Sequence, residues 1–253
     1  MAELFVNQAK QYAETRPSYP QELFQSLPQK IPLVTLCGMW AQEVGRLLDR
    51  AGIYKIVTGT NTSLKQLEFA PKLPNVSYHH TAPVMLGSEL EETVSAQSSV
   101  DLFDLHAFYQ QVKWILKKPY GVIVAWCYII LEVNDSVDSV LEQFHSIDSE
   151  PFWEPRLKLI DDKYRSIDFP FEAVEGADHT GPFKFVAEKL MDLDEYLMYL
   201  RSWSAYQTVK TKGVELPRDD MIGSFKRAWN EDGHDQKAVK FPVYLRIGKV
   251  GKE

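Results

Sequence analysis

The clearest candidate for substrate chemistry is a group of aromatic residues and one arginine near position 200. Arg201, Trp203 and Tyr206 lie close together in the sequence. A guanidinium group and flat aromatic rings suit a planar carboxylate, because the arginine can bind both carboxylate oxygens while the rings pack on the plane. Aromatic residues at this spacing are at least as often part of a hydrophobic core, so core packing is the alternative interpretation.

Other reactive side chains are not grouped as catalysis or metal binding requires. His79 and His80 are adjacent on an expected strand, so their side chains point to opposite faces and do not predict a metal site. Cys37 and Cys127 have no metal-ligand spacing and cannot form a disulfide framework, which favours a reducing cytosol. The sequence contains no Gly-x-Ser-x-Gly motif for a nucleophilic serine. The acidic pair Asp219-Asp220 is expected at a helix end or on the surface.

Composition limits the partners of the chain. Its 253 residues include 28 Lys and Arg and 35 Asp and Glu, which gives a net charge of -7 and no basic run for nucleic acid. The longest apolar stretch, Gly121 to Leu131, is far shorter than the ~20 residues of a membrane span. The first residues lack the features of a signal peptide. We therefore expect a cytoplasmic protein without nucleic-acid or membrane partners, either a monomer or a weak homodimer.

Alternating strands and helices predict the fold. Four β-rich runs are present, at Leu33–Cys37, Lys55–Thr60, Val76–His80 and Gly121–Ile130. The last run is almost entirely apolar, as expected for a strand covered on both faces, which is typical of parallel sheets. Before this run, apolar residues have the spacing of one face of a helix, at Phe108, Val112, Ile115 and Leu116. These patterns predict an open, doubly wound α/β sheet with right-handed crossovers.

The second half of the chain has a different pattern. Residues from about 133 to 213 are acidic and aromatic, which predicts a helical lid or insertion, and one amphipathic helix is expected to carry Leu190, Leu193, Leu197 and Leu200. Alternation from Phe241 to Ile247 predicts a strand, and Pro242 favours an edge or strand-end position for it. We expect one domain over 1–253, with a core of about 1–132 and 214–253.

Four segments together resemble a known family. They are Gln8 to Pro20, the Gly59 to Ser63 turn, the Phe108 to Lys117 helix and the Leu200 to Tyr206 run. In their order and spacing they resemble the plant members of the class I S-adenosylmethionine-dependent methyltransferases, the type 11 group that includes relatives of trans-aconitate methyltransferase. The resemblance covers nearly the whole chain. It implies a seven-stranded, mostly parallel Rossmann-like sheet, a helical lid, an antiparallel C-terminal strand and a small-molecule methyl acceptor.

The resemblance also implies the site residues. The implied S-adenosylmethionine-binding positions are Tyr12, Arg16, Gly38, Gly45, Thr60, Asn61, Ser63 and Thr81. The implied substrate-binding positions are Tyr19, Arg201, Trp203 and Tyr206. No catalytic residue is assigned and no metal is expected, because transfer from a sulfonium mainly requires alignment of two reactants and exclusion of water.

The chain departs from the family pattern at the cofactor site. The family has a glycine-rich loop after the first strand, where this chain has the bulky pair Met39-Trp40. The acidic residue that holds the ribose in the family is replaced by Asn61. The fourth strand of the family is missing between Leu102 and Phe103. The codons of Gly38 to Arg50 permit the family loop in another reading frame, so one hypothesis is that this tract is frame-shifted.

These departures leave two further functions open. A non-catalytic methyltransferase-like protein, or a defective gene copy with an impaired cofactor loop, is the main alternative to an active enzyme. A nicotinamide-dependent oxidoreductase is less favoured, because no Gly-x-Gly-x-x-Gly motif follows the first strand.

Overall fold

The structure is a computed structural model that describes most of the C-terminal half and several N-terminal segments. The described residues are 15–26, 33–37, 56–61, 64–68, 72, 74, 76–80, 105–116, 121–153, 155, 157–210, 212–213 and 215–251.

The first three strands form a parallel sheet, as their sequence predicts. They are β1 (Leu33–Cys37), β2 (Ile56–Asn61) and β3 (Val76–His80), and they lie side by side in that order. Cys37 is opposite Thr60 on β2, and Asn61 is opposite His80 on β3. Because the strands run in the same direction, their carboxyl ends lie at one edge of the sheet.

The other three described strands form an antiparallel sheet. They are β4 (Val122–Tyr128), β5 (Phe183–Met191) and β6 (Lys237–Lys249), and β6 lies between the other two. The ladder between β4 and β6 runs from the Val122–Lys249 pair onward, and that between β5 and β6 begins at the Phe183–Leu245 pair. The antiparallel C-terminal strand is therefore confirmed, while the seven-stranded sheet and the domain division stay predictions.

The expected edge position of Pro242 is wrong, because β6 is the central strand of its sheet. The Pro242 carbonyl accepts a hydrogen bond from the Ile129 amide at 3.0 Å, just beyond the end of β4. The missing proline N–H would point to the same side as this carbonyl. On that side of β6, the regular ladder with β4 has already ended. On the other side, proline removes no donor from the ladder with β5, because its N–H would not point there.

Eight α-helices are present in the described part of the chain. They are α1 (Gln21–Gln25), α2 (Leu64–Glu68), α3 (Leu105–Ile115), α4 (Asp135–Gln143), α5 (Leu157–Asp161), α6 (Leu193–Arg201), α7 (Ser204–Lys210) and α8 (Asp219–Trp229). A π-helical turn, Phe144–Asp148, and a 3₁₀ turn, Glu150–Phe152, follow α4. Asp219 and Asp220 lie in the first turn of α8, at the helix end expected for them. Among the described helices, none has the length and apolar character needed to cross a membrane.

Strand β5 was not predicted from the sequence. It lies inside the stretch expected to be helical, and Leu190 belongs to it rather than to the helix that follows. The helix expected from the leucine spacing begins at Leu193 and is α6. The region between α4 and α8 therefore contributes a strand to the sheet as well as helices.

Both faces of β4 are buried, as the apolar run predicts. Val122 and Trp126 belong to the larger hydrophobic cluster, which also contains residues of α1, α4, α6 and α8. Ile123 and Cys127 point to the opposite face and pack with α3 and with residues 159–171. In the described part of the chain, however, β4 pairs with an antiparallel rather than a parallel strand.

Candidate functional site

The carboxyl edge of the parallel sheet is the first part of the candidate site. Thr60 is opposite Cys37 on one side and His79 on the other, and Asn61 follows it at the end of β2. In open α/β sheets, ligands bind outside the carboxyl ends of the strands. The main chain therefore places Thr60 and Asn61 at the edge where such ligands bind.

Several expected positions lie outside the described residues. The cofactor-binding positions in this group are Tyr12, Gly38, Gly45, Ser63 and Thr81. Met39, Trp40, Leu102 and Phe103, which carry the departures from the family pattern, also lie outside them. The roles expected for these residues stay predictions.

Arg16 connects three parts of the chain beside the end of β4. Its Nη1 donates a hydrogen bond to the Tyr128 hydroxyl at 2.6 Å, and its Nη2 donates one to the Ser202 carbonyl at 3.2 Å. The guanidinium carbon lies 4.6 Å from the centre of the Tyr199 ring, which is within cation–π distance. Arg16 therefore joins the N-terminal segment to the end of β4 and to the end of α6. We call Arg16, Tyr128, Tyr199 and Ser202 the arginine clamp.

The local structure of α6 explains why the Ser202 carbonyl faces Arg16. Asp192 and Glu195 form a capping box that fixes the start of the helix. At the other end, the Ser202 amide and hydroxyl both donate to the Tyr199 carbonyl, at 2.9 and 2.6 Å. The partial negative charge of a helix C-terminus favours a cation at this position. The end of α6 is thus a suitable acceptor for the Arg16 guanidinium.

A cluster of aromatic rings extends from the arginine clamp. Trp203 stacks on Phe144, with ring centres 5.8 Å apart and planes at 23°. Its ring centre is also 6.1 Å from Tyr199, 5.7 Å from His145 and 5.3 Å from Trp153. The rings therefore form a continuous, mostly buried cluster from Arg16 to His145.

His145 lies at the far end of this aromatic cluster, in the π-helical turn. Its main-chain carbonyl accepts hydrogen bonds from the Ser149 hydroxyl at 3.0 Å and from the Trp153 indole at 3.3 Å. Burial lowers the pKa of His145, and the nearby Asp161 carboxylate opposes that shift. Partial burial raises the pKa of Asp161, and the charge of His145 opposes that shift in turn. At neutral pH, His145 is therefore mainly uncharged and able to accept a proton.

The expected substrate residues occupy well-packed positions. Tyr19 is buried, with its ring centre 5.4 Å from Trp126 in an edge-on contact. The Tyr206 hydroxyl donates to Glu215 at 3.0 Å, and burial together with this carboxylate raises the pKa of Tyr206. Arg201 is half-buried in the last turn of α6. Core packing accounts for the burial of these aromatic residues, and their substrate roles stay predictions.

The sequence alone did not identify three residues of this region. Tyr128 ends β4, but the predicted run continued to Ile130, so the predicted strand end did not mark it. Tyr199 lies in the predicted α6 helix but has no local motif. His145 lies in a π-helical turn, and no local sequence motif marks that turn. Among the described residues, no three His, Cys, Asp or Glu side chains are grouped to hold a metal ion.

Comparison with known proteins identifies the fold. No family model and no curated protein matches the sequence. A protein from Anaeromyxobacter dehalogenans with the provisional name of a type II methyltransferase has a TM-score of 0.73 and 22% identity, over 94% of this chain and 99% of that chain. The YcgJ protein of Bacillus subtilis has a TM-score of 0.47 and 12% identity, over 92% of this chain and 98% of that chain.

A third solved structure contains a bound ligand. It is an S-adenosylmethionine-dependent methyltransferase from Thiobacillus denitrificans in complex with S-adenosyl-L-homocysteine. Its TM-score is 0.44 at 11% identity, over 98% of each chain. The expected relationship to the plant type 11 group stays a prediction, since none of these structures addresses it. At 22% sequence identity, the similarity to the Anaeromyxobacter protein shows only the fold. The chain therefore has the fold of that protein.

Proposed function

We propose that this chain is an S-adenosylmethionine-dependent methyltransferase that acts on a small molecule. The observation that carries the proposal is the likeness to the Anaeromyxobacter protein, which has a TM-score of 0.73 over 94% of this chain. The bound S-adenosyl-L-homocysteine in the Thiobacillus structure is consistent with this cofactor. The resemblance to the class I methyltransferases supports the same activity.

The carboxyl edge of the parallel sheet is the proposed cofactor site. Nucleotide-like ligands of open α/β sheets bind at this edge, and asparagine at position 61, at the end of β2, can hydrogen-bond a ribose hydroxyl. S-adenosylmethionine supplies an electrophilic methyl group on a positively charged sulfur. The residues of the chain hold and orient the two reactants and exclude water from them. Tyr12, Arg16, Gly38 and Gly45 complete the proposed site, together with Thr60, Ser63 and Thr81.

The aromatic cluster and the end of α6 are the proposed acceptor site. Arg201 is proposed to orient a carboxylate, with Tyr19, Trp203 and Tyr206 as aromatic walls. A carboxylate acceptor is already ionised at neutral pH and needs no base. A phenol or an amine would need a base, and the proposal assigns none.

A second function is a non-catalytic methyltransferase-like protein or a defective gene copy. The observation that favours it is the pair Met39-Trp40 at the expected cofactor loop, together with Asn61 in place of an acid. A bulky loop and a lost carboxylate together could weaken cofactor binding by several kcal/mol, at ~1.4 kcal/mol for each tenfold change in affinity.

Transfer of a labelled methyl group separates the two functions. The protein is incubated with S-adenosylmethionine carrying a labelled methyl group and with panels of small carboxylic acids, phenols and amines. The proposal predicts labelled product with at least one acceptor, and Arg201→Gln should lower kcat/KM for carboxylic acids by about tenfold or more. Glu142→Gln, a change on the surface of α4, is the control. No label in any panel would favour the non-catalytic function.

A further inference from the structure

Strand β5 forms one edge of the antiparallel sheet in the described part of the chain. Within the described residues, β5 pairs on one side with β6 and with no strand on the other. Every second side chain of β5 points to the exposed face of the sheet. Lys184 and Glu188 are exposed, and Val186 and Leu190 are 44% and 62% exposed. An edge strand of this kind can pair with another strand.

The hydrogen bonds of β6 show which β5 main-chain groups face this free edge. The carbonyls of Lys240 and Pro242 both accept hydrogen bonds from residues that follow β4, namely from the amides of Glu132 and Ile129. Alternate β6 residues therefore bond to β5, as the Ile247 amide does when it donates to the Thr180 carbonyl at 3.0 Å. Because Pro242 is opposite Val186, the N–H and C=O of Val186 point away from β6. The same alternation directs the main-chain groups of Lys184 and Glu188 to the free edge.

The exposed side chains favour one symmetrical pairing. If Val186 lies opposite Val186 of a second, antiparallel copy, Lys184 of each copy lies opposite Glu188 of the other. The three central residue pairs would then each exchange two main-chain hydrogen bonds. Opposite charges directly across a sheet are favourable, and the two valines meet on the two-fold axis.

The sheet continues this charge pattern. Glu188 is opposite Lys240 on β6, so the order across the joined sheets would be Lys240, Glu188 and then Lys184 of the second copy. A register centred on Glu188 would instead bring two carboxylates directly together. One centred on Ala187 would place each of these charges opposite an apolar side chain. Charge complementarity therefore selects the register centred on Val186.

We propose that this protein forms a homodimer in which the β5 strands of two copies pair antiparallel about Val186 and join their two sheets. The occupant of the edge is a second copy, because the edge is complementary to itself in charge, in apolar contact and in hydrogen-bond register. This assembly does not depend on the methyl-transfer function.

Charge reversal tests the pairing in the full chain by sedimentation velocity over a concentration series. The unchanged protein should dimerise. Lys184→Glu and Glu188→Lys should each raise the dimer dissociation constant about tenfold or more, because each puts like charges opposite. An equal mixture of these two variants should associate about as well as the unchanged protein, since each copy then faces opposite charges. The double reversal should also restore dimerisation.

Controls make the result specific to the edge. Lys226→Glu makes the same charge change on an exposed position of α8 and should leave the dissociation constant unchanged. Thermal unfolding of each variant shows whether it is folded. A monomeric unchanged protein at every concentration would overturn the proposal. The proposal would also be overturned if both single variants dimerised as strongly as the unchanged protein, because the dimer would then use another surface.

Discussion

Removal of the Arg16 side chain should destabilise the protein through the arginine clamp. Arg16 donates to the Tyr128 hydroxyl and to the Ser202 carbonyl, and its guanidinium packs on Tyr199. A hydrogen bond to a charged group contributes about 1.5 to 3 kcal/mol, and a cation–π contact about 0.5 to 2 kcal/mol. Arg16 and Tyr128 are only partly buried, so the lower values apply. Arg16→Ala should therefore lower the free energy of unfolding by about 2 to 4 kcal/mol.

A double-mutant cycle isolates the contact between Arg16 and Tyr128. Tyr128→Phe removes the hydroxyl and should cost about 1.5 kcal/mol. The double variant should cost less than the sum of the two single changes, with a coupling energy of about 1 to 1.5 kcal/mol. Urea unfolding followed by circular dichroism gives the free energies, and the slope of each unfolding curve tests whether the denatured state has changed.

An exposed arginine provides the matched control for this cycle. Arg165 lies on the surface after α5, and Arg165→Ala should change the free energy of unfolding by no more than about 0.5 kcal/mol. If Arg16→Ala costs no more than this control, or if the coupling with Tyr128 is close to zero, the clamp does not hold the three segments together.

Three further changes test the packing of β6 and α8 and the charge state of His145. In a thermal unfolding assay, Gly248→Ala should lower the free energy of unfolding by about 1 to 3 kcal/mol, because its Cβ would lie 2.5 Å from the Phe171 Cβ. Gly223→Ala in α8 should instead raise it by about 0.5 to 1 kcal/mol, because the new methyl group would meet no atom closer than 3.5 Å. Burial lowers the pKa of His145 below 6.5, so the unfolded chain binds more protons in the window below 6.5 and the free energy of unfolding should fall as the pH is lowered through it. His145→Gln should flatten that part of the stability–pH profile, and an unchanged profile would mean that His145 is not buried as described.

Strong apolar patterns made much of the fold predictable. The bounds of β1 and β3 agree with the sequence prediction, and β4 and α3 differ from it by a few residues. Their apolar residues follow a strand or helix period closely. Strand β5 lacked such a signal, because Lys189 lies on its inward face and Leu190 on its exposed one. Pro242 is tolerated in the central strand because β4 ends beside it. The sequence of β6 alone does not show where β4 ends.

The candidate site was less predictable because its contacts are distant in sequence. Arg16 was expected at the cofactor site from the family resemblance, but its contacts with Tyr128 and Ser202 join residues 112 and 186 positions apart. No local spacing encodes such contacts. Trp203 and Tyr206 were found by residue type, yet the same residue types also form the core, and only the packing around them distinguishes a wall of a pocket from a core position.

The proposed function requires that the chain bind S-adenosylmethionine. Calorimetric titration of the full chain with S-adenosylhomocysteine, the product that remains after methyl transfer, tests this claim most directly. We expect saturable one-site binding with a Kd of about 1 to 100 μM, equivalent to roughly 5.5 to 8 kcal/mol. The absence of binding up to about 1 mM ligand by folded protein would contradict the claim and favour the non-catalytic function.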